Sequence, residues 1–262
     1  MTKGYATMQR EELIQQLWLD YVHQHPDISG LRLWPVDAPI EYMALLTLNH
    51  GDYAMDRLLP ILALLGYRRV HRHAMADRGL LISLLAPPDN SAWLLLAELQ
   101  LGTLSRQPRD TLKTLVSQVE PAAPQDQHLL CHGRPWPMPD WSTYQALHLA
   151  HPLAAWLAVM GPRLHHVGFD CARLGCEIEV LDQQLDQAGL DGHRNRHQAV
   201  FPVSPLLDFR FYATRSRRIA FARGDEHRIE LGGLALVQKQ VSANQERTSE
   251  LLLPHHTRCE VS

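Results

Sequence analysis

LAAWLAVMGPRLHHVGFD, residues 153–170, places an apolar helical stretch directly before a run of alternating apolar residues. His166 opens that run at the start of a predicted strand, and strand alternation predicts that His165 points the opposite way. An imidazole in this position, projecting into a cupped sheet, is a common ligand for Fe(II) or Zn(II). A single His does not make a metal site, and His166 is one of 16 histidines in the chain. The function of His166 therefore depends on which residues the fold brings to it.

The composition is that of an ordinary globular protein. Its 262 residues, 45% hydrophobic and 20% charged, suffice for one large domain or two small modules. A net charge of -3 and a pI near 6.6 argue against a nucleic-acid partner, because phosphate recognition normally needs a basic surplus. The four Cys lack CxxC spacing, the N-terminus lacks an apolar signal core, and no window approaches about 18 apolar residues. We expect a reduced, cytoplasmic protein without a membrane segment.

Two similar modules are predicted from the order of the elements. After a helix over residues 11–25, the first module reads as strand, helix and three strands: 42–48, 55–65, 67–73, 80–86 and 93–101. Helices follow over 108–119, 140–148, with Asp140 as N-cap, and 153–160. The first order then recurs from His166: a strand to Asp170, a helix over 177–188, and strands near Ala199, at 209–214, 217–222 and 229–241.

The predicted fold class is therefore α+β, with two β-α-β-β-β modules forming a cupped sheet and with helical N-terminal and central insertions. We expect a single domain over residues 1–262. Its parts are an N-terminal helical cover (1–39), the first module (40–104), a helical insertion (105–163) and the second module (164–262). Such modules can bring their first and last strands to one metal. A non-heme Fe(II) oxygenase needs two His and one carboxylate on one face.

Five segments resemble one known family when their order and spacing are taken together. They are EYMALLTLN at 41–49, LLGY at 64–67, LLAELQL at 95–101, AAWLAVMG at 154–161 and LHHVGF at 164–169. The chain resembles, from about residue 13 to 241, the 2-oxoadipate dioxygenase/decarboxylase family, which has a vicinal-oxygen-chelate-like fold. The resemblance implies Fe(II) held by one His from each module and a late-strand Glu. It also implies oxidative decarboxylation of a 2-oxo dicarboxylic acid to a 2-hydroxy acid, and an Arg that holds the distal carboxylate of the substrate.

Only part of that machinery is present in this sequence. His166 falls on the second-module His position, whereas the first-module His position is Tyr42 and the substrate Arg position is Leu46. A Tyr phenol, with an ordinary pKa of about 10, is a poor replacement for a neutral imidazole unless a metal lowers that pKa. The late-strand Glu position is Ala235. Leu46 cannot bind a carboxylate, and Ala235 has no ligand atom.

Other residues provide possible replacements. Glu98 is a candidate third ligand or supporting catalytic group, or else a buried structural hydrogen-bonding residue. Glu230 is a candidate metal ligand if a bulge at Gly232-Gly233 shifts its strand register by one residue. Arg217 and Arg218 are candidate substrate-binding residues, although they also suit a charged edge strand. We expect Tyr42, Glu98, His166 and Ala235 to converge.

Two functions of different class remain. In one, the protein is an active Fe(II) dioxygenase with a shifted substrate, using His166, Tyr42 and either Glu98 or Glu230, and acting on a small 2-oxo acid or related carboxylate. In the other, the fold persists without a metal, as a small-molecule-binding or interaction module in which catalysis is weak or lost. The joint difference at Tyr42, Leu46 and Ala235 favours the second.

Overall fold

Two sets of four strands join edge to edge into one eight-stranded mixed sheet. The computed structural model describes residues 9–30, 38–121, 126–190, 192–193, 206–240 and 252. The strands of the first set are β1 (Tyr42–Leu48), β2 (Arg68–Met75), β3 (Leu80–Ala86) and β4 (Trp93–Leu99). Those of the second set are β5 (Arg163–Asp170), β6 (Gly192–His193), β7 (Leu207–Ala213) and β10 (Gly233–Lys239). The strand order is β2-β3-β4-β1-β5-β10-β7-β6.

Both sets have the same topology. In the first set, β1 pairs in parallel with β4, and β4 pairs antiparallel with β3. In the second set, β5 pairs in parallel with β10, and β10 pairs antiparallel with β7. The two sets meet where β1 pairs antiparallel with β5. All seven residues of β1 are buried, as expected for a central strand covered on both faces. The predicted α+β class and paired β-α-β-β-β modules are confirmed.

Eight helices are present among the described residues. They are α1 (Arg10–Gln24), α2 (Pro26–Gly30), α3 (Met55–Leu64), α4 (Arg106–Val116), α5 (Trp141–Ala150), α6 (Pro152–Met160), α7 (Cys171–Leu174) and α8 (Ile178–Gln187). Asp140 caps α5 as predicted, because its carboxylate accepts a hydrogen bond from the Thr143 backbone N–H at 2.8 Å. Gly66, at φ +87°, follows α3 in the left-handed conformation that ends many helices. None of the described helices is long and apolar enough to cross a bilayer.

The two faces of the sheet have different partners. Paired residues project to the same face, so the pairs Tyr42–Gly168, Gly168–Ala235 and Ala235–Phe211 place these residues together on what we call the cup face. His166 also lies there, since it pairs with Ala44, two residues after Tyr42. The opposite face packs on α3 and α8, and the cup face meets α6.

The last predicted strands need a correction. The segment predicted as a strand over 217–222 is β8 (Arg217–Ala220), which pairs with β9 (Glu226–Ile229) in a separate two-stranded sheet. The predicted strand over 229–241 breaks at residues 230–232, between β9 and β10. The cause is composition: β8 is partly exposed and rich in Arg, whereas β10 begins with five buried residues that suit the sheet interior. The predicted strand near Ala199 lies outside the described residues.

Candidate functional site

Tyr42 and His166 meet where the two modules join. The Tyr42 hydroxyl lies 3.2 Å from His166 Nε2, and the two rings are perpendicular with centroids 5.6 Å apart. Both side chains are buried. Tyr42 also lies across Gly168, where an added Cβ would stand only 1.9 Å from the Tyr42 ring. Glycine at 168 is therefore what allows the Tyr42 ring to reach His166.

His165 extends this contact. The β1–β5 register shifts by one residue, so that Leu164 pairs with Leu45 while His166 pairs with Ala44. Two residues of β5 advance the register by only one pair, as in a β-bulge, and strict alternation fails there. His165 Nδ1 lies 3.1 Å from His166 Nδ1. The expectation that His165 points away from His166 was wrong, and Tyr42, His166 and His165 form one hydrogen-bonded series.

Burial keeps this series uncharged. It lowers the pKa of His165 to about 4, and burial together with neighbouring His165 holds the pKa of His166 well below its ordinary value. Burial, and then the nearby Glu41, raise the pKa of the Tyr42 phenol well above its ordinary value. A neutral imidazole has one donor and one acceptor nitrogen. The tautomers of His165 and His166 are therefore coupled, because Tyr42 donating to His166 Nε2 requires His166 Nδ1–H to donate to His165 Nδ1.

The remaining family positions on the cup face carry no ligand atom. Leu46 is fully buried on the same face of β1 as Tyr42. Ala235 is fully buried and pairs with Gly168, on the side away from Tyr42. Tyr42, His166 and Ala235 therefore share one face, as expected. Their side chains supply one imidazole, one neutral phenol and one methyl group.

Glu98 lies on the other face of the sheet. It pairs with Thr47, five residues along β1 from Tyr42, which places it toward α3. Its carboxylate accepts hydrogen bonds from the Met55 backbone N–H and, at 2.5 Å, from the Gln100 side-chain amide. The prediction that Glu98 converges with Tyr42 and His166 was therefore wrong. Sequence alternation alone did not reveal the parity of Glu98, because all seven residues of β4 are buried.

Glu230 is an exposed residue in the break between β9 and β10. It therefore has no strand register that a bulge at Gly232-Gly233 could shift. It lines the cleft described below. Arg217 donates to the Gln24 carbonyl at 2.8 Å, at the end of α1. Arg218 is 70% exposed and pairs with Glu226 at 3.6 Å. Arg217 therefore satisfies a backbone carbonyl at the C-terminus of α1, and Arg218 forms an ion pair between β8 and β9.

The donors at the cup face do not fit the expected iron site. A 2-His-1-carboxylate centre needs three anionic or imidazole ligands on one face. Within the described ranges, no group of three His, Cys, Asp or Glu side chains is placed to hold a metal. His166 Nε2 is paired with the Tyr42 hydroxyl, and Ala235 supplies no atom.

A cleft of about 710 Å³ opens between the second module and α5 and α6. One part of its lining is the series Trp141, Tyr144 and His148 on α5, with successive ring centroids 5.0 and 5.7 Å apart. The other part is Trp156, His165 and Phe211, with successive centroids 5.1 and 6.1 Å apart. His165 thus belongs both to the hydrogen-bonded series and to the cleft wall.

No protein-family model matches the chain, and no curated protein matches it significantly. Solved structures share its architecture. A hydroxyglutarate synthase from Oryza sativa, in complex with 2-oxoadipate, has a TM-score of 0.76 at 18% identity over 100% of this chain and 93% of that one. A Ralstonia eutropha protein provisionally placed in the glyoxalase superfamily has a TM-score of 0.64 at 16% identity, over 91% and 86%. The fold is vicinal-oxygen-chelate-like.

A third structure extends the likeness. A Shewanella frigidimarina protein that carries the provisional description hydrolase shares this vicinal-oxygen-chelate-like fold with a TM-score of 0.80 at 23% identity, over 95% of this chain and 99% of that one. These likenesses agree with the fold that the sequence resemblance implied.

Part of the cleft lining has a recognisable sequence pattern. Trp141, Tyr144 and His148 are spaced by three and four residues after the Asp140 cap, which places them on one helix face. Trp156 is buried within the apolar helix α6, where its sequence context is that of a packing residue. The contributions of His165 and Phe211 depend on the β-bulge and on strand pairing, which no local pattern shows.

Proposed function

We propose that this protein binds a small molecule in the aromatic cleft without a metal at His166, and that dioxygenase catalysis is weak or lost. The observation that carries the proposal is the hydrogen bond between the Tyr42 hydroxyl and His166 Nε2. That nitrogen would have to bind the iron, and its partner is a neutral phenol.

The space on the cup face supports the same proposal. The Tyr42 ring lies over Gly168, between β1 and the Ala235 position on β10. Leu46 places an apolar side chain where the resemblance calls for a carboxylate-binding Arg. The space available to a ligand is instead the cleft that His165 lines. The volume of this cleft, about 710 Å³, lies in the range of small-molecule sites.

A second candidate is an active dioxygenase with a rearranged metal site. It is favoured by one observation: His165 and Glu230 line the same cleft and supply an imidazole and a carboxylate. The rice protein is crystallised with 2-oxoadipate, so a small 2-oxo acid or related carboxylate is the substrate class for this candidate. Fe(II) would then act as the Lewis acid and oxygen-activating centre.

Iron content and oxygen uptake together separate the two candidates. Wild type and the variants H166A, H165A and H132A are loaded anaerobically with Fe(II), desalted and measured for iron. His132 is an exposed control. Oxygen uptake is then followed with 2-oxoadipate. We expect no stoichiometric iron and no uptake above buffer. One iron per chain that is lost in H166A or H165A but kept in H132A, with uptake, would overturn the proposal.

A further inference from the structure

The cleft lining indicates the kind of molecule that it binds. Six ring-bearing side chains line it: Trp141, Tyr144, His148, Trp156, His165 and Phe211. Pro152, Leu153 and Ile229 add aliphatic carbons to the lining. Aromatic walls gain most from a flat ligand, because offset stacking and edge contacts add to the burial of apolar area.

The inner wall carries hydrogen-bonding capacity without formal charge. His165 is buried, burial lowers its pKa to about 4, and its Nδ1 is engaged with His166. Tyr42 and His166 behind it are also neutral at pH 7. A carboxylate placed against this wall would lose its hydration without meeting a cation.

The charged groups of the lining lie at its exposed side. Arg228 and Glu230 have opposite charges and are both exposed, and Arg228 also donates to the Ser216 carbonyl at 3.0 Å. The Glu230 carboxylate raises the pKa of Tyr144, after the effect of burial, which places a negative charge near the α5 wall. The lining as a whole therefore offers no surplus of positive charge to an anion.

We infer that the ligand of this cleft is an uncharged, flat aromatic molecule with one hydrogen-bonding group, such as a phenol, that reaches His165. This inference rests on the proposed function, and it departs from the 2-oxo acid suggested by the rice structure. Size agrees with it, since a cleft of about 710 Å³ accommodates a two-ring molecule. His165 acts as the specificity-determining residue, and His166 and Tyr42 position it by fixing its tautomer.

The test uses three probes with the full chain at pH 7: 2-naphthol, 2-naphthoate and 2-oxoadipate. Affinities are measured by isothermal titration calorimetry. We expect 2-naphthol to bind and 2-naphthoate to bind at least about tenfold more weakly, because the negative charge of its carboxylate is desolvated without a cation beside it. We expect no detectable binding of 2-oxoadipate.

Three variants locate the binding. W141A should weaken 2-naphthol binding by about tenfold or more, because it removes a partly buried aromatic ring from the cleft wall. H165F should reduce the preference for 2-naphthol over 2-naphthoate, because it removes the hydrogen-bonding atoms. L64A truncates an apolar side chain that is 60% exposed on α3, away from the cleft lining, and should leave binding unchanged.

The outcomes distinguish this inference from the proposed function. Equal or tighter binding of 2-naphthoate or 2-oxoadipate without iron overturns the inference and leaves the proposed metal-free function standing. No binding of any probe, or binding that W141A leaves unchanged, overturns the inference. Stoichiometric iron bound through His166, with 2-oxoadipate consumed, overturns both.

Discussion

Removing the Tyr42 hydroxyl with Y42F tests the hydrogen-bonded series. The substitution keeps the ring that lies over Gly168, so no cavity is expected. It deletes the 3.2 Å hydrogen bond to His166 Nε2, which joins two neutral groups. Such a bond contributes about 1 kcal/mol, and leaving a buried polar atom without its partner costs about 1–3 kcal/mol. We expect the free energy of unfolding to fall by about 1–3 kcal/mol in urea denaturation.

The matched control is Y67F. Tyr67 is also buried and donates to the Ala92 carbonyl at 3.0 Å, far from His166 in the chain. Both variants should be destabilised, but only Y42F should shift the ring-nitrogen resonances of His165 and His166 in ¹H-¹⁵N spectra, because only it uncouples their tautomers. An unfolding free energy within about 0.5 kcal/mol of wild type, with unchanged His spectra, would refute the series.

Three further predictions concern stability, each measured by urea denaturation. E98A should lower the free energy of unfolding by about 1 kcal/mol, because Glu98 accepts from the first backbone N–H of α3. It should leave the affinity for 2-naphthol unchanged; a loss of that affinity without a loss of stability would place Glu98 in the ligand site. D182A should cost about 3–5 kcal/mol, because the buried Asp182 accepts from Arg210 at 2.5 Å and from the Tyr212 hydroxyl at 2.7 Å; a cost below about 1 kcal/mol would show that the cluster is solvated. Burial lowers the pKa of His165 from 6.5 to about 4. Between these two pH values the imidazole is protonated in the unfolded chain but not in the folded one. The free energy of unfolding that is present above pH 6.5 is therefore lost as the pH falls toward 4. That loss is about 2 kcal/mol at pH 5, and H165Q should lack it; an unchanged pH dependence in H165Q would contradict the assignment.

Long apolar runs made most of the fold predictable. Strands β1, β3 and β4 follow directly from them, because each is a run of mainly apolar residues bounded by a turn or helix cap. After residue 214 strands were predicted and are present, but the break at residues 230–232 and the separate sheet of β8 and β9 were not predicted. Local sequence there does not distinguish the surface ribbon of β8 and β9 from a strand of the main sheet, since that choice depends on which segment buries more apolar area.

The site was less predictable, for physical reasons. Tyr42, His166 and Ala235 share one face as the family resemblance implied, since each stands at a position that the resemblance assigns to a metal ligand. Glu98 was misplaced because β4 is buried on both faces and its composition does not identify the cup face. His165 was misplaced because a β-bulge reverses the parity of a strand without a sequence signal of its own. The cleft depends on contacts between α5, α6 and β7, which are far apart in the chain.

The metal-free function proposed above requires that Tyr42, and no metal, is the partner of His166 Nε2. A zinc titration of ¹⁵N-labelled protein followed through the His ring nitrogens tests it most directly, with H166Q used to assign the His166 signals. Zn²⁺ is diamagnetic and binds nitrogen and oxygen ligands more tightly than Fe²⁺ does, so it is a stringent probe. We predict that the His166 resonances keep the pattern of a neutral imidazole and do not move when one Zn²⁺ per chain is added. Movement of the His166 Nε2 resonance that saturates at one Zn²⁺ per chain would contradict the claim.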